Sequence, residues 1–367
     1  MNSSSPTNLS DLGIEGLRTF MIGIGESRFR STQLIKWIHQ FGVVDFSAMT
    51  NLSKAFREQL TNNTEIRFPE IVGRQDSADG TIKWLLRVDS GNSIETVFIP
   101  ENDRGTLCVS SQVGCPLDCQ FCATATQGFN RNLNVGEIIG QVWMAARELG
   151  QTPKTNRRIT NIVMMGMGEP LLNFNNVVNA MQLMMDDNAY NLARKRITLS
   201  TAGHVPGIHK LRDVCPVSLA ISLHAPNNEL RDVLVPINRK HPLEELLDAC
   251  KQYASANPHD QITFEYVMLK GMNDGESLAR DVAKRLRGIP AKINLIPFNP
   301  FPGAKYECST RETIDKFRDQ LTHAGIVTIT RKTRGDDIDA ACGQLVGKVI
   351  SKSARRRAKR SAVEVLR

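Results

Sequence analysis

Cys115, Cys119 and Cys122 fall within eight residues of one another, in the run Ser110-Ser111-Gln112-Val113-Gly114-Cys115-Pro116-Leu117-Asp118-Cys119-Gln120-Phe121-Cys122. The glycine and the proline shape a tight loop that can turn three thiolates toward one centre. A cubane of four irons held by three thiolates keeps one iron open to an outside ligand. A structural zinc site closes with four ligands, commonly from two cysteine pairs or from cysteines and histidines. No second cysteine pair accompanies this loop, so an iron-sulfur cluster is the better reading and zinc the alternative. The remaining cysteines are spread too thinly for a secreted disulfide scaffold.

Two of those remaining cysteines invite a chemical role. Cys342, between Ala341 and Gly343 after the charged stretch Arg334 to Asp339, has the small, open surroundings of a reactive thiol. Cys108 lies in a β-rich run and, taken singly, reads as a small buried hydrophobe. Cys250 completes an apolar helical stripe and Cys215 precedes Pro216 at a helix end, so both read as structural, while Cys308 carries no assignment. Glu95, on a strand where Ile94 and Thr96 face the other way, reads on its own as a solvated residue. His224 alone reads as a satisfied core or cap histidine, although Ser222 beside it at a strand end favours a ligand contact.

The elements that must position these residues alternate. From residue 106 onward, short β-rich runs at Leu107–Ser110, Ile159–Met165, Ile197–Ser200, Val217–Leu223, Ile262–Met268, Ile293–Ile296 and Ile326–Ile329 are separated by amphipathic stretches such as Phe174, Val177, Val178, Met181, Met184 and Met185. That repetition implies parallel strands with crossover helices, a partial (β/α)6-type barrel in an α/β protein. The unusual residues follow the strands, and in such a barrel the strand ends share the face where active sites are built. Residues 106–347 are the expected core. Residues 1–75 are the expected small helical domain, with Leu34, Ile35, Ile38 and Phe41 on one stripe and Leu52, Phe56 and Leu60 on another. Residues 76–105 are the expected β-hairpin extension, turning at Asp89 to Asn92.

The 367 residues carry a net charge of +8, and from Lys348 to Arg367 eight basic residues face one acid, Glu364. Residues 348–367 therefore form a basic tail that suits phosphate or simple solvation. Residues Met1 to Gly13 lack a basic-then-apolar leader and no apolar run approaches bilayer length, so the expected location is cytoplasmic, without a membrane partner.

The cysteine loop followed by Gly168-Glu169-Pro170 resembles the radical S-adenosylmethionine (SAM) superfamily. Longer strings resemble the adenine-C2 methyltransferases of rRNA and tRNA, the RlmN type: Met49-Thr50-Asn51-Leu52-Ser53-Lys54, Ile94-Glu95-Thr96-Val97-Phe98-Ile99-Pro100, Met165-Gly166-Met167-Gly168-Glu169-Pro170-Leu171, Leu295-Ile296-Pro297-Phe298-Asn299-Pro300, and Arg334-Gly335-Asp336-Asp337-Ile338-Asp339-Ala340-Ala341-Cys342-Gly343-Gln344-Leu345. The resemblance implies one [4Fe-4S] cluster on Cys115, Cys119 and Cys122, and two SAM molecules per turnover. It implies SAM contacts at Gly168, Glu169, Ser200, Ser222, Leu223, His224 and Asn299. It further implies that Cys342 becomes an S-methylcysteine, that Cys108 resolves the RNA adduct through a transient disulfide with Cys342, and that Glu95 is the proton acceptor. The implied substrates are adenosine 2503 of 23S rRNA and adenosine 37 of tRNA, with a flavodoxin-type electron donor. The alternatives are the related adenine-C8 methyltransferase and a zinc-stabilised RNA-binding protein without catalysis.

Overall fold

The computed structural model describes residues 6–153, 155, 157–256 and 260–349; residues 350–367 of the basic tail lie outside them. Ten strands form one sheet: β1 (Glu70–Asp76), β2 (Ile82–Arg87), β3 (Ser93–Glu101), β4 (Arg104–Cys108), β5 (Asn161–Met164), β6 (Ile197–Thr201), β7 (Ser218–Ser222), β8 (Ile262–Met268), β9 (Ala291–Pro297) and β10 (Val327–Thr330). Each strand pairs with its neighbour in chain order. From β4 to β10 all pairings are parallel, while β1 to β4 run antiparallel. Neither end of the sheet finds the other, so the barrel stays open, with seven parallel strands rather than six. The expected hairpin is β2 and β3, and it is continuous with the barrel sheet through the β3–β4 pairing.

Among the described residues eleven α-helices accompany the sheet: α1 (Gly13–Gly23), α2 (Phe29–Ile35), α3 (Lys54–Asn63), α4 (Ala123–Thr126), α5 (Val135–Glu148), α6 (Phe174–Met185), α7 (Val205–Val214), α8 (Asn228–Leu234), α9 (Leu243–Ala256), α10 (Glu276–Arg285) and α11 (Arg311–His323). The crossovers bury their apolar stripes on the sheet, as their period requires. Val177, Val178, Met181 and Met184 of α6 are buried in the same core as Leu107, Ile162 and Leu199 of the strands. The start of α5 is fixed by a capping box in which Asn134 and Glu137 satisfy each other's backbone N–H groups.

The N-terminal helices dock on the barrel. Trp143 of α5 donates its indole N–H to the carbonyl of Ile38 at 2.9 Å, and His39 meets the Tyr190 hydroxyl at 3.1 Å. Leu34, Ile35 and Ile38 are buried as their spacing predicts, but Phe41 is 45% exposed. The cause is local: residues Lys36–Gln40 open into a π-helix, and the wider turn rotates Phe41 out of the 3.6-residue stripe.

Among the described residues no helix is long and apolar enough to cross a membrane. One buried cation ties the strand ends together. Arg231 of α8 is fully buried and donates to the carbonyls of Leu223, Ala202 and Ser222 and to Oδ1 of Asn238, at 2.7 to 3.1 Å. Burial lowers its pKa to about 10, yet it stays charged at neutral pH. Replacing it with methionine strands three carbonyls, and urea denaturation should register a loss of at least about 3 kcal/mol. A loss under about 1 kcal/mol would show that Arg231 is not a structural tie.

Candidate active site

At the C-terminal end of β4 the chain leaves the sheet and is pinned before it reaches the first cysteine. Ser110 donates its hydroxyl to the Glu95 carbonyl at 2.6 Å, and its backbone exchanges hydrogen bonds with the Gln141 amide at 2.8 and 2.9 Å. The backbone of Ser111 and Gln112 then donates to the Met167 carbonyl at 2.8 and 3.1 Å. These bonds tie the cysteine loop to the Gly-Glu-Pro turn after β5. Residues Gln112–Gly114 pair with Phe129–Asn132, closing the loop's base. Gly114 has a φ of +74°, and a Cβ there would run into the Gly128 carbonyl, so only glycine fits.

The three cysteines line one cavity of about 170 Å3 with Gly166, Gly168, Glu169, Ser200, Ser222, His224, Asn299 and Cys342. Burial pushes the Cys115 thiol up to about 12 and raises Cys119 and Cys122 as well, with repulsion from Cys122 adding to the rise at Cys115 and Cys119. Thiols so placed ionise only when a cation balances them. Among the described residues no three His, Cys, Asp or Glu side chains gather closely enough to hold a single metal ion. A cubane asks for less, because each thiolate binds its own iron. The three-thiol loop therefore fits a [4Fe-4S] cluster and departs from a closed zinc site.

Glu169 caps the turn after Gly168. Its carboxylate accepts from the Leu171 N–H at 3.1 Å and from the Ala202 N–H at 2.8 Å, joining the ends of β5 and β6. Burial pushes its pKa up to about 7. Both carboxylate oxygens are thus engaged within the fold. His224 lines the cavity and is also bonded within the fold: Nδ1 accepts from the Val267 N–H at 3.0 Å, which leaves the proton on Nε2. Burial lowers its pKa to about 3, so the ring is neutral. His224 is therefore satisfied within the fold while its ring also faces the cavity. Ser200, Ser222 and Asn299 also face the cavity, whereas Leu223 lies outside its lining, buried in the core with its backbone held by Glu265 and Arg231.

A second cavity of about 550 Å3 continues into the barrel and is lined by Cys108, Cys342, Val97, Thr198, Asn294 and Arg334, among others. Cys342 belongs to both cavities. Its segment lies across the barrel because its backbone is held at several points. Asn299 donates to the Cys342 carbonyl at 3.0 Å, Ala123 N–H to Gly343 at 2.7 Å, and the Thr124 hydroxyl to Leu345 at 2.6 Å. Cys108 is partly buried, and burial together with the nearby Cys342 sulfur pushes its thiol up to about 12. All eight cysteines are free, so no standing disulfide joins Cys108 to Cys342.

Glu95 is not solvated, contrary to its reading as a lone strand residue. It is 7% exposed because the Cys342 segment covers the outer face of β3. Its carboxylate accepts from the Val346 N–H at 2.9 Å and lies 3.5 Å from the Lys83 ammonium, which also donates to the Asp339 carbonyl at 3.1 Å. It does not line either cavity. Lys83, Arg231, Gln141 and Glu265 are among the buried polar residues that sequence reading passed over; a charged residue inside an alternating strand is the signal for Lys83. Cys215 and Cys250 are buried in the core as expected, and the backbone of Cys308 pairs antiparallel with that of Leu269.

Comparison with known proteins accords with this geometry. The profile for the ribosomal RNA large subunit methyltransferase N-terminal domain matches residues 7–66, and that of the radical SAM superfamily matches residues 109–282. The crystal structure of a radical SAM methyltransferase from Sphaerobacter thermophilus is 42% identical, with a TM-score of 0.86 over 93% of this chain and 99% of that one. A domain of a pyruvate-formate lyase-activating enzyme from Bacteroides vulgatus is 18% identical, covering 47% of this chain and 99% of that one with a TM-score of 0.38. A spore photoproduct lyase mutant is 14% identical, covering 61% and 75%, with a TM-score of 0.44; these two likenesses are too distant to bear on chemistry. The chain belongs to the radical SAM superfamily, which implies a [4Fe-4S] cluster and SAM. Within it, the chain is a methyltransferase of the RlmN type.

The exposures separate the two catalytic candidates. At pH 8, iodoacetamide should label the exposed Cys342 at least about 10-fold faster than Cys108, as read by peptide mass spectrometry. Equal rates would contradict the burial of Cys108.

Proposed function

We propose that this enzyme methylates C2 of adenosine in RNA by way of a methyl group carried on Cys342. The observation that carries this reading is the position of Cys342 in both cavities, one shared with the three-cysteine loop and the other with Cys108. C2 of adenine lies between two ring nitrogens and is electron-poor, so it does not attack a sulfonium methyl as a nucleophile. A thiolate does, and the exposed Cys342 is placed to displace that methyl and become a thioether.

Bound at Cys115, Cys119 and Cys122, the cluster supplies an electron, and SAM supplies both a methyl group and a hydrogen-abstracting carbon radical. The residues of this chain do the rest. Gly168, Glu169, Ser200, Ser222, His224 and Asn299 line the space assigned to SAM, and Leu223 acts only from the core, through the strand end that it shares with Ser222 and His224. Asn299 also holds the carbonyl of Cys342, coupling the occupied site to the methyl carrier. Once the carried carbon radical has bonded to C2, the adduct gives up its unpaired electron to the electron-carrier protein, and the aromatic ring is restored as the C2 proton is accepted by Glu95. Its contact with Val346 N–H ties that carboxylate to the segment bearing Cys342, and proton transfer requires this segment to shift and bring them within hydrogen-bond reach. The Cys108 thiolate then attacks the sulfur of Cys342; the sulfur–carbon bond breaks, its electron pair stays with carbon, which takes up a proton to become the methyl group, and the transient disulfide is returned to two thiols by two electrons from the carrier protein.

The target base must be unstacked, which favours loop or single-stranded RNA. The family match at residues 7–66 supports rRNA as a substrate class, and adenosine 2503 of 23S rRNA and adenosine 37 of tRNA are the positions we assign. A flavodoxin-type protein is the proposed electron source. Anaerobic turnover with SAM, reductant and an rRNA fragment should yield 2-methyladenosine by nucleoside mass spectrometry, and Cys108→Ala should instead accumulate RNA linked to Cys342. Multiple turnovers by Cys108→Ala would overturn the thiol-resolved route, and 8-methyladenosine as the sole product would move the reaction to the other carbon.

A further inference from the structure

The two cavities meet at Glu265 and Arg331, which line both of them. Glu265 stands in the middle of β8 and is 4% exposed. One carboxylate oxygen, Oε1, accepts from the Asn294 amide at 2.9 Å. The other, Oε2, is buried with no hydrogen-bond partner. The Arg331 guanidinium is 3.8 Å from it, beyond hydrogen-bond reach. An unused carboxylate oxygen in the interior is costly, and a fold keeps one where a ligand completes it. Arg331 is held in its charged form by the neighbouring Cys342 sulfur, then by Glu265 and Cys108, against the opposing effect of burial. The pair therefore presents an acceptor beside a donor, and asks for a flat ligand with a donor beside an acceptor.

Adenine has two such edges. One pairs N6–H with N1, which adjoins C2; the other pairs N6–H with N7, which adjoins C8. Holding the base by N6 and N7 leaves C2 open on the far side of the ring and covers the neighbour of C8. We propose that Glu265 and Arg331 read the amino edge of the target adenine, Oε2 accepting from N6–H and the guanidinium donating to N7, so that C2 is presented to Cys342. This inference rests on the adenosine-C2 reading above. The adenosine of SAM has the same edge, so the test must separate the two sources.

The holoenzyme is assayed on three RNAs that carry adenosine, purine riboside (no amino group) or 7-deazaadenosine (no N7) at the target position. The two analogues should lose about 10- to 100-fold in kcat/KM, and filter-binding constants should weaken in the same order. Glu265→Gln keeps Oε1 for Asn294 and sets an amide NH2 where Oε2 stood. It should lose a similar factor on adenosine but little further on purine riboside, since both changes remove one contact. Equilibrium dialysis should find its SAM affinity within about 2-fold of the unaltered enzyme. Native enzyme that binds and uses purine riboside as well as adenosine would overturn the proposal. So would losses that multiply, or a Glu265→Gln defect that falls on SAM affinity, which would make SAM's own adenosine the occupant. If Glu265→Gln does not fold, the analogue series with native enzyme decides alone. Absence of a C2-methylated nucleoside with every RNA would instead count against the C2 reading, and the binding constants would still decide the recognition.

Discussion

The covering of the barrel by the segment from Arg331 to Lys348 is the constraint on which the site depends. Cys342 is far in sequence from the cysteine loop and from the strand ends that line the cavity, and the backbone bonds of its segment bring it there. Those bonds reach in two directions. Asn299, Ala123 and Thr124 hold it to β9 and to the helix after the cysteine loop. Glu95 and Lys83 hold it to the antiparallel strands, as does the pairing of Lys348 with Ser93. Each neutral bond adds on the order of 1 kcal/mol, with charged partners adding more, and together they order a stretch that has no regular strand of its own. The antiparallel extension β1 to β3 therefore serves the chemistry as the second abutment of this span.

Electrostatics follow from the same arrangement. Burial alone would keep the thiols of the site protonated, as it does for Cys115 and Cys108. Two sources of positive charge oppose that tendency. Arg331 stands beside Cys108 and favours its ionised form. At the cluster loop a bound metal would do the same for its three ligands. Cys342, exposed where Cys108 is enclosed, is the thiol best able to meet an incoming sulfonium. The enclosed Cys108 suits a thiol that acts later in the sequence of events.

Much of this was legible in the sequence because the features are local. Three cysteines in one loop, the Gly-Glu-Pro turn, and polar residues just after each β-rich run all announce themselves within a few positions, and the parallel repeat places them on one face. What was not legible depends on partners far along the chain. Alternation in β3 marks Glu95 as outward-facing, and it does face away from Ile94; the residue that covers it, Val346, is in a different part of the chain. Lys83 disappears into the interior for the same reason. Arg231 looks like a helix-surface charge until the carbonyls of Ala202 and Ser222 are seen around it. The π-turn that exposes Phe41 leaves no mark in hydrophobic spacing. Leu223, grouped by position with Ser222 and His224, has an apolar side chain that belongs to the core.

The central claim is that the methyl group passes through the sulfur of Cys342 and is altered while it is there. Turnover with SAM whose methyl carries three deuterium atoms tests this most directly, with the isotopic composition of the methylated adenosine read by mass spectrometry. Passage through Cys342 with hydrogen abstraction predicts a product methyl that has lost one deuterium. A product that retains all three would mean direct transfer from SAM to the base, and would contradict the account.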